Sequence, residues 1–466
     1  MTATPVTTTA DLRTFAEDAA TYFDRSRIAM HTMDPRELTA LQLDALRLRF
    51  DELRPRIPVL DALATEQHID GFDSIDDAAP LLFPHTVYKA YPTRLLVDNR
   101  FDRMNTWMSR LTTVDLTGLD VAGCTSIDAW LATVDERTEL RLAHSSGTTG
   151  TMSFIPHSQI QYDRLYRIVR MDVLPDDDHT GVDVVWPSFR TGRSGIARHA
   201  TAMAEQIALT PERMHCLHPG LLSADVMFLA GRLRAAAARG EAGRVEVPPA
   251  LALRRAEFTE ALRATGPGMT AFVRRLADEL AGSRVAALST WDVLSGMADS
   301  AAEQGLTDVF APDSVIFAGG GSKAGALPED WAERTARFAG VPALRFVYAM
   351  VEVMSLNLQC GAGGYHLEPW LVLYLLDPET GAVLPRTGTT TGRVALYDLT
   401  ADLNWGGIVT GDLVTVDWEP CVCGRTTPRI GAAISRFAGP GGDDKITCAA
   451  TAEALDEALT FLNGAL

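Results

Sequence analysis

From about residue 141 onward, short apolar runs alternate with stretches of helical periodicity, and this alternation constrains the fold more than any other feature. The apolar runs are rich in β-branched and aromatic residues and cover 182–186, 314–318 and 344–348. Strands that alternate with helices favour an α/β fold built on a parallel sheet. A longer apolar run at 370–376 ends in turn residues and indicates antiparallel β structure through about 416.

The first 140 residues have a different texture, dominated by helical patterns. Asp34 followed by Pro35 predicts a helix start, because Asp is a favourable cap and Pro suits the first turn. A run of glycines and aspartates at 439–444 marks a break near the end of the chain. We therefore expect a helical N-terminal region over 1–140, an α/β core over 141–436 with a β-rich subdomain from about 360, and a short segment over 437–466.

Charge and hydropathy exclude several classes of protein. The chain has 42 basic and 60 acidic residues, a formal net charge of −18, and no basic block, so no nucleic acid partner is expected. No apolar run approaches about 18 residues, so we expect no membrane span, and the first ten residues lack a signal-peptide pattern. Six cysteines in 466 residues are too few for a disulfide scaffold. A cytoplasmic protein is expected.

The most informative local feature is the run His-Ser-Ser-Gly-Thr-Thr-Gly-Thr-Met-Ser at 144–153. Glycines allow the main chain to approach an anion closely, and N–H groups and hydroxyls then donate to phosphate oxygens. No lysine follows the last glycine, so the run is not a GxxxxGK[ST] loop. From its composition alone, the run is either a phosphate-binding loop or a surface turn.

Three later motifs decide between these readings. They are Gly-Gly-Gly-Ser-Lys at 319–323, Tyr-Ala-Met-Val-Glu at 348–352 and Thr-Gly-Asp-Leu at 410–413. With the run at 144–153, they form an ordered set that resembles the adenylate-forming enzymes. The chain is similar to the phenylacetate–CoA ligase branch of that superfamily and to the acyl-protein synthetases of bacterial luciferase systems, over roughly residues 35–450.

The resemblance implies a role for each motif. The ATP phosphates would contact Ser145, Ser146, Gly147, Thr148, Thr149 and Gly150. The adenine and the acyl carbonyl would lie along Gly319, Gly320, Gly321 and Ser322. Tyr348 would stack on the adenine, Glu352 would bind Mg²⁺, and Asp412 would accept hydrogen bonds from the ribose hydroxyls. Arg436 matches an arginine near the hinge that contacts the ribose and phosphate.

The sequence departs from the family at two points. The phosphate loop lacks its usual lysine, and only 22 residues follow Asp444, where the family has a C-terminal lid domain of about 100 residues that carries a lysine. The resemblance therefore makes 437–466 a hinge and a truncated stub. Lys323 is the favoured substitute for the missing cation, with Lys445 or a separate protein as alternatives.

The resemblance implies activation of a small carboxylic acid as an acyl adenylate. The acyl group would then be transferred to a thiol, as in CoA or a carrier protein, or to an amine. Two alternatives stay open at this point. One is a nucleotide-binding or partner-dependent module with reduced catalysis, and the other is an ATP-dependent ligase of an unusual oxyanion such as nitrite. An acyl relay through Cys448 is a further hypothesis, against a simple buried cysteine. A homodimer is usual in related enzymes.

Three thiols and one imidazole in the β-rich segment form a candidate metal site. Cys360, His366, Cys421 and Cys423 supply the four ligands that a closed tetrahedral zinc site requires. Some phenylacetate–CoA ligase-like proteins look similar here. We expect structural zinc, with unlinked free cysteines as the alternative.

Overall fold

The computed structural model describes residues 8–145, 150–174, 180–241, 245, 247, 249–253, 268–320, 327–437 and 458. The described residues up to Leu165 and from Val351 onward to 437 form one compact unit, and those from Tyr166 to Met350, with Ala458, form a second. The N-terminal helices and the β-rich segment belong to the same unit.

The first unit contains the N-terminal helices. They are α1 (Thr9–Glu17), α2 (Ala19–Tyr22), α3 (Arg27–Thr32), α4 (Pro35–Leu53), α5 (Pro58–Glu66), α6 (Arg94–Val97), α7 (Phe101–Met108) and α8 (Ile127–Arg137). Helix α9 (Gln159–Val173) begins in this unit and continues into the second. The predicted start of α4 is confirmed, because Pro35 is its first residue. The Asp34 side chain accepts hydrogen bonds from the backbone N–H groups of Arg36 and Glu37.

The strands of the first unit form mainly one antiparallel sheet. They are β1 (Phe83–Pro84), β2 (Ala143–His144), β3 (Phe154–Ile155), β9 (Val353–Leu358), β10 (Tyr365–His366), β11 (Leu371–Leu376), β12 (Thr389–Asp398), β13 (Gly407–Asp417) and β14 (Arg429–Arg436). The sheet order is β10-β14-β13-β12-β11, and β1 pairs in parallel with β13. Strands β2 and β3 pair with each other apart from this sheet, and β9 also lies outside it. All six residues of β11 are buried, whereas β13 alternates between buried and half-buried positions.

The second unit is built on a parallel sheet. Its strands are β4 (Asp183–Gly192), β5 (Met214–Leu222), β6 (Val285–Thr290), β7 (Val315–Gly319) and β8 (Arg345–Met350). They lie in the order β5-β4-β6-β7-β8. Its helices are α10 (Gly195–Met203), α11 (Ala224–Ala237), α12 (Pro249–Leu253), α13 (Gly268–Leu280), α14 (Trp291–Glu303) and α15 (Trp331–Ala339).

The core of the second unit lies between this sheet and helices α13, α14 and α15. Helix α15 ends at Gly340, where φ is +78° and an added Cβ would lie 2.8 Å from the carbonyl oxygen of Phe310, so only glycine fits. The α/β class and the four strands predicted between 182 and 376 are confirmed.

None of the helices within the described residues combines the length and the apolar character that crossing a bilayer requires.

Candidate functional site

The residues predicted to bind a nucleotide are divided between the two units. The first unit holds Ser145, Gly150, Glu352, Asp412 and Arg436, and the second holds Gly319, Gly320 and Tyr348. The remaining candidates lie outside the described residues: Ser146, Gly147, Thr148, Thr149, Gly321, Ser322, Lys323, Lys445 and Cys448.

The Ser/Gly/Thr run is anchored on the antiparallel pair of β2 and β3, with His144 opposite Phe154. Ser145 N donates to the carbonyl oxygen of Ser153 over 3.1 Å, and Ser145 Oγ accepts from Ser153 N over 2.9 Å. Both serines are buried. Gly150 has a φ of +90°, which favours glycine. The two ends of the run are thus tied together by backbone and side-chain hydrogen bonds.

Glu352 lies directly before β9, and only 9% of the residue is exposed. Burial raises the pKa of its carboxyl group to about 7, and the negative charge of Asp412 adds to this rise. The positive charges of Arg436 and Lys89 oppose it. His157 Nε2 donates to the carbonyl of the residue before Glu352 over 2.7 Å, which fixes the local backbone. A hard divalent cation would favour the ionised form of this carboxyl group.

Asp412 and Arg436 face each other on neighbouring strands. They are register partners in β13 and β14, and Arg436 Nη1 lies 2.7 Å from Asp412 Oδ1. The aspartate is buried, whereas the arginine side chain is 45% exposed. Asp412 N donates to Thr410 Oγ1 over 3.1 Å, which holds the strand at this point. The pair therefore presents a carboxylate together with a guanidinium that can also reach solvent.

Lys89 belongs to none of the sequence motifs that point to this site. Lys89 ends the 3₁₀ turn His85–Lys89, which follows β1, and β1 pairs with β13, the strand that carries Asp412. Its charge acts on Glu352, and the charge of Glu352 adds to the burial that raises the pKa of Tyr88. A signal was available in the composition, because only three of the 42 basic residues are lysines.

The second unit carries the glycine-rich and aromatic candidates at adjacent strands. Gly319 ends β7, and an added Cβ would lie 2.8 Å from Val347 Cγ2, so the two strands approach too closely for a larger residue. Gly320 follows with a φ of +77°. Tyr348 lies in β8 and is buried. The carboxyl edge of a parallel sheet is where α/β proteins usually bind ligands.

The four predicted metal ligands come together in the first unit. The ligand atoms of Cys360, His366, Cys421 and Cys423 all lie within 4.8 Å of one another. Cys360 Sγ is 3.8 Å from Cys421 Sγ, and Cys423 Sγ is 3.3 Å from His366 Nε2. Tetrahedral zinc with Zn–S bonds of about 2.3 Å places sulfur atoms about 3.8 Å apart. The cluster could therefore hold one metal ion through three thiols and one imidazole.

A hydrogen bond behind the cluster orients the imidazole. His366 Nδ1 donates to the carbonyl of Thr427 over 3.0 Å, which leaves Nε2 facing the thiols. Burial lowers the pKa of His366 to about 4, so the ring is neutral at pH 7, as a metal ligand must be. Thr427 Oγ1 also lies 3.2 Å from His31 Nδ1, and Arg27 pairs with Glu368 at 2.7 Å behind it. Helix α3 thus supports the cluster.

No protein-family model and no curated protein matches the chain. Solved structures do match. One is an open conformation of 2-hydroxyisobutyryl-CoA ligase with 2-HIB-AMP and CoA, at 14% identity over 88% of this chain and 72% of that chain, with a TM-score of 0.52. The same ligase in its thioesterification state gives 15% identity, 88% and 70% coverage and a TM-score of 0.49. ATP-bound MatB from Rhodopseudomonas palustris gives 14% identity, 62% and 47% coverage and a TM-score of 0.35.

The first of these similarities defines the fold. The chain has the fold of the adenylate-forming enzymes, a superfamily that includes the acyl-CoA ligases. At 14% identity the similarity carries the architecture alone.

Proposed function

We propose that the chain is an adenylate-forming ligase that uses ATP and Mg²⁺ to activate a small carboxylic acid. The observation that carries the proposal is the buried Glu352, whose pKa of about 7 reflects burial and the charges of Asp412, Arg436 and Lys89. Three of these four residues are ones that the sequence resemblance assigns to nucleotide and metal binding. The fold supports the same chemistry.

The reaction has two steps. The substrate carboxylate attacks the α-phosphorus of ATP, the bond to the β-phosphate bridging oxygen breaks, and pyrophosphate leaves. An acceptor nucleophile then attacks the acyl carbonyl of the adenylate and AMP leaves. In the first step negative charge develops on phosphate oxygens, so preoriented donors and cations supply most of the acceleration.

Each charged group of the first unit has a role in this chemistry. Ionised Glu352 would hold Mg²⁺, which neutralises phosphate charge when bound. Asp412 would accept hydrogen bonds from the ribose hydroxyls, with Arg436 orienting its carboxylate. Lys89 would supply the cation that the phosphate loop lacks. The sequence resemblance assigns Tyr348 to contact with the adenine and Gly319 and Gly320 to the space beside the adenine.

The acceptor is proposed to be a thiol. The similar 2-hydroxyisobutyryl-CoA ligase was solved with an acyl-AMP and CoA, which supports this class. Membership of the phenylacetate–CoA ligase-like branch, a cytoplasmic location and a homodimer remain predictions of the sequence.

The central test is carboxylate-dependent exchange of labelled pyrophosphate into ATP. We expect exchange with at least one member of a panel of aryl, short-chain and 2-hydroxy acids, and we expect Asp412→Ala to raise the KM for ATP by about tenfold or more. The panel should include nitrite to test the oxyanion alternative. Tight ATP binding without exchange for any member would contradict the proposal and identify a binding module.

Replacing Lys89 separates its charge from its packing. We expect Lys89→Met to lower the exchange rate by about tenfold to hundredfold, because a cation near the phosphates is lost, and Lys89→Arg to retain more of it. Because Lys89 lowers the pKa of Glu352, the methionine variant should also move the acidic limb of the pH–rate profile upward. An unmoved profile with an unchanged rate would exclude Lys89 from the site.

We also propose that Cys360, His366, Cys421 and Cys423 hold a structural zinc ion. The sulfur spacing, the neutral imidazole and the hydrogen bond from its Nδ1 support this assignment. A closed set of four protein ligands leaves no open position for a substrate, so the ion would stabilise the fold rather than take part in adenylation.

A further inference from the structure

A short segment of the first unit, residues 85–93, leads from β1 to α6. Two of its side chains contact the end of the Ser/Gly/Thr run. The segment follows directly on β1, which is fixed to β13 by parallel pairing at Ile408 and Val409. It contains Lys89 and ends at Thr93, immediately before α6. The segment is therefore held at its start by the sheet that carries Asp412.

Two side chains of this segment bind consecutive residues of the run. The hydroxyl of Tyr91 donates to the carbonyl oxygen of Met152 over 2.8 Å, in a buried position. Thr93 Oγ1 lies 3.0 Å from Thr151 Oγ1, within hydrogen-bond distance. Burial raises the pKa of Tyr91, so the phenol keeps its proton and stays a donor.

The ring of Tyr91 packs against two other aromatic rings. Its centroid lies 4.9 Å from the ring of Trp107 in α7 and 5.8 Å from the ring of Phe154 in β3. Aromatic contacts at these distances restrict the ring to one orientation. The packing of the ring against α7 and β3 consequently sets the position from which the hydroxyl donates to Met152.

These contacts act on the end of the run. They lie between Gly150, whose backbone is left-handed, and Ser153, which is bound to Ser145. A glycine-rich run loses backbone entropy when it is ordered around an anion. Ordering its exit in advance lowers that cost for the bound state.

We propose that Tyr91 and Thr93 form a clamp that fixes the end of the Ser/Gly/Thr run, at Thr151 and Met152, for binding of the nucleotide phosphates. The inference rests on the proposed function, since it concerns the same nucleotide site. Tyr91 and Thr93 are positioning residues, because they act through Met152 and Thr151 and touch no reacting atom. The same segment brings Lys89 towards Glu352, so one stretch of chain sets both the run and the cation.

The chain offers a matched control for Tyr91. The hydroxyl of Tyr374 donates to the carbonyl oxygen of Ile75 over 3.0 Å, is equally buried, and lies in the same unit but bonds no part of the run. Tyr91→Phe and Tyr374→Phe therefore remove the same kind of bond and leave the same kind of carbonyl without its donor. A difference between the two variants therefore comes from where the lost hydrogen bond lies, because both variants lose one such bond.

We expect Tyr91→Phe to raise the KM for ATP in the exchange assay by about tenfold, the effect of one hydrogen bond, with the KM for the acid unchanged. Tyr374→Phe should leave both values near wild type. Thr93→Val should behave like Tyr91→Phe with a smaller effect, and Thr93→Ser should restore the wild-type value. Amide hydrogen exchange at 151–154 should accelerate in Tyr91→Phe and not in Tyr374→Phe.

The outcomes separate the clamp from the proposed function. If wild type neither binds ATP nor exchanges pyrophosphate, the proposed function fails and the clamp fails with it. If wild type is active and the two tyrosine variants match in the KM for ATP and in hydrogen exchange at 151–154, the clamp alone is overturned.

Discussion

Replacing Glu352 by Gln is expected to abolish most of the activity and, at the same time, to stabilise the metal-free protein at pH 8. We expect pyrophosphate exchange to fall by about a hundredfold or more, because a neutral amide holds Mg²⁺ poorly and one source of transition-state stabilisation is lost. The opposite effect on stability follows from the pKa of the carboxyl group.

The sign of that stability effect depends on how tightly the folded protein holds a proton. Glu352 has a pKa of about 7 in the folded protein, against 4.5 as its ordinary value. The folded state binds this proton more tightly, so the contribution to stability is full below about pH 4.5 and is lost as the pH rises to 7. The loss amounts to about 3 kcal/mol. Gln cannot ionise, so the variant escapes this loss.

Denaturant unfolding of wild type and Glu352→Gln in the presence of a chelator for divalent cations, at pH 5 and pH 8, measures the effect. The variant should gain stability relative to wild type mainly at pH 8. Glu368→Gln is a suitable control, because Glu368 is also buried but pairs with Arg27 at 2.7 Å, so its replacement should destabilise the protein. An equal difference between wild type and Glu352→Gln at both pH values would contradict the raised pKa.

The same pKa predicts the acidic limb of the activity profile. Exchange should decline as the pH falls below about 7, because protonated Glu352 does not bind Mg²⁺. Since Mg²⁺ and the proton compete for one carboxylate, a higher Mg²⁺ concentration should move this limb to lower pH. A limb that does not respond to Mg²⁺ would assign the titration to another group.

Local patterns in the sequence were enough to predict the class of fold and several elements. Asp34 caps α4, and the apolar runs near 315 and 371 form strands, because capping and the length of an apolar run are properties of neighbouring residues. The division into units was beyond such patterns. It depends on pairings such as Phe83 with Ile408, and a two-residue strand has no periodicity to detect.

The candidate site divides in the same way. The resemblance supplied Asp412 and Arg436 as separate motifs, and the structure pairs them across two strands. Lys89 belongs to none of the motifs, because a charge that acts on Glu352 from 263 positions earlier in the chain leaves no local trace in the sequence. Lys323 lies outside the described residues, and mutation of each lysine in turn compares the two.

The four proposed zinc ligands illustrate what spacing alone can predict. Cys421 and Cys423 are near neighbours, but Cys360 and His366 come from a separate stretch about 60 residues earlier. Local β structure brings the two stretches together, since β10 pairs with β14 and places His366 opposite Arg429. Four ligands within 4.8 Å, with the imidazole oriented by Thr427, make binding of one zinc ion per chain the expected result.

We expect Cys421→Ser to lower zinc affinity by about a hundredfold or more, and removal of the metal to lower the thermal midpoint by on the order of 5 °C, because the ion joins segments that the free ligands join weakly. Native mass spectrometry with elemental analysis measures the metal, and thermal unfolding with and without a chelator measures the midpoint.

Cys124→Ser is the matched control, because Cys124 is half-buried in the same unit and contacts Thr133 rather than the cluster. The zinc assignment fails if wild type produced in zinc-supplemented medium contains no metal, or if the two cysteine variants lose zinc and stability equally. Because the proposed ion touches no nucleotide-binding residue, Cys421→Ser should retain the wild-type KM for ATP at temperatures where it stays folded, which separates a structural role from a catalytic one.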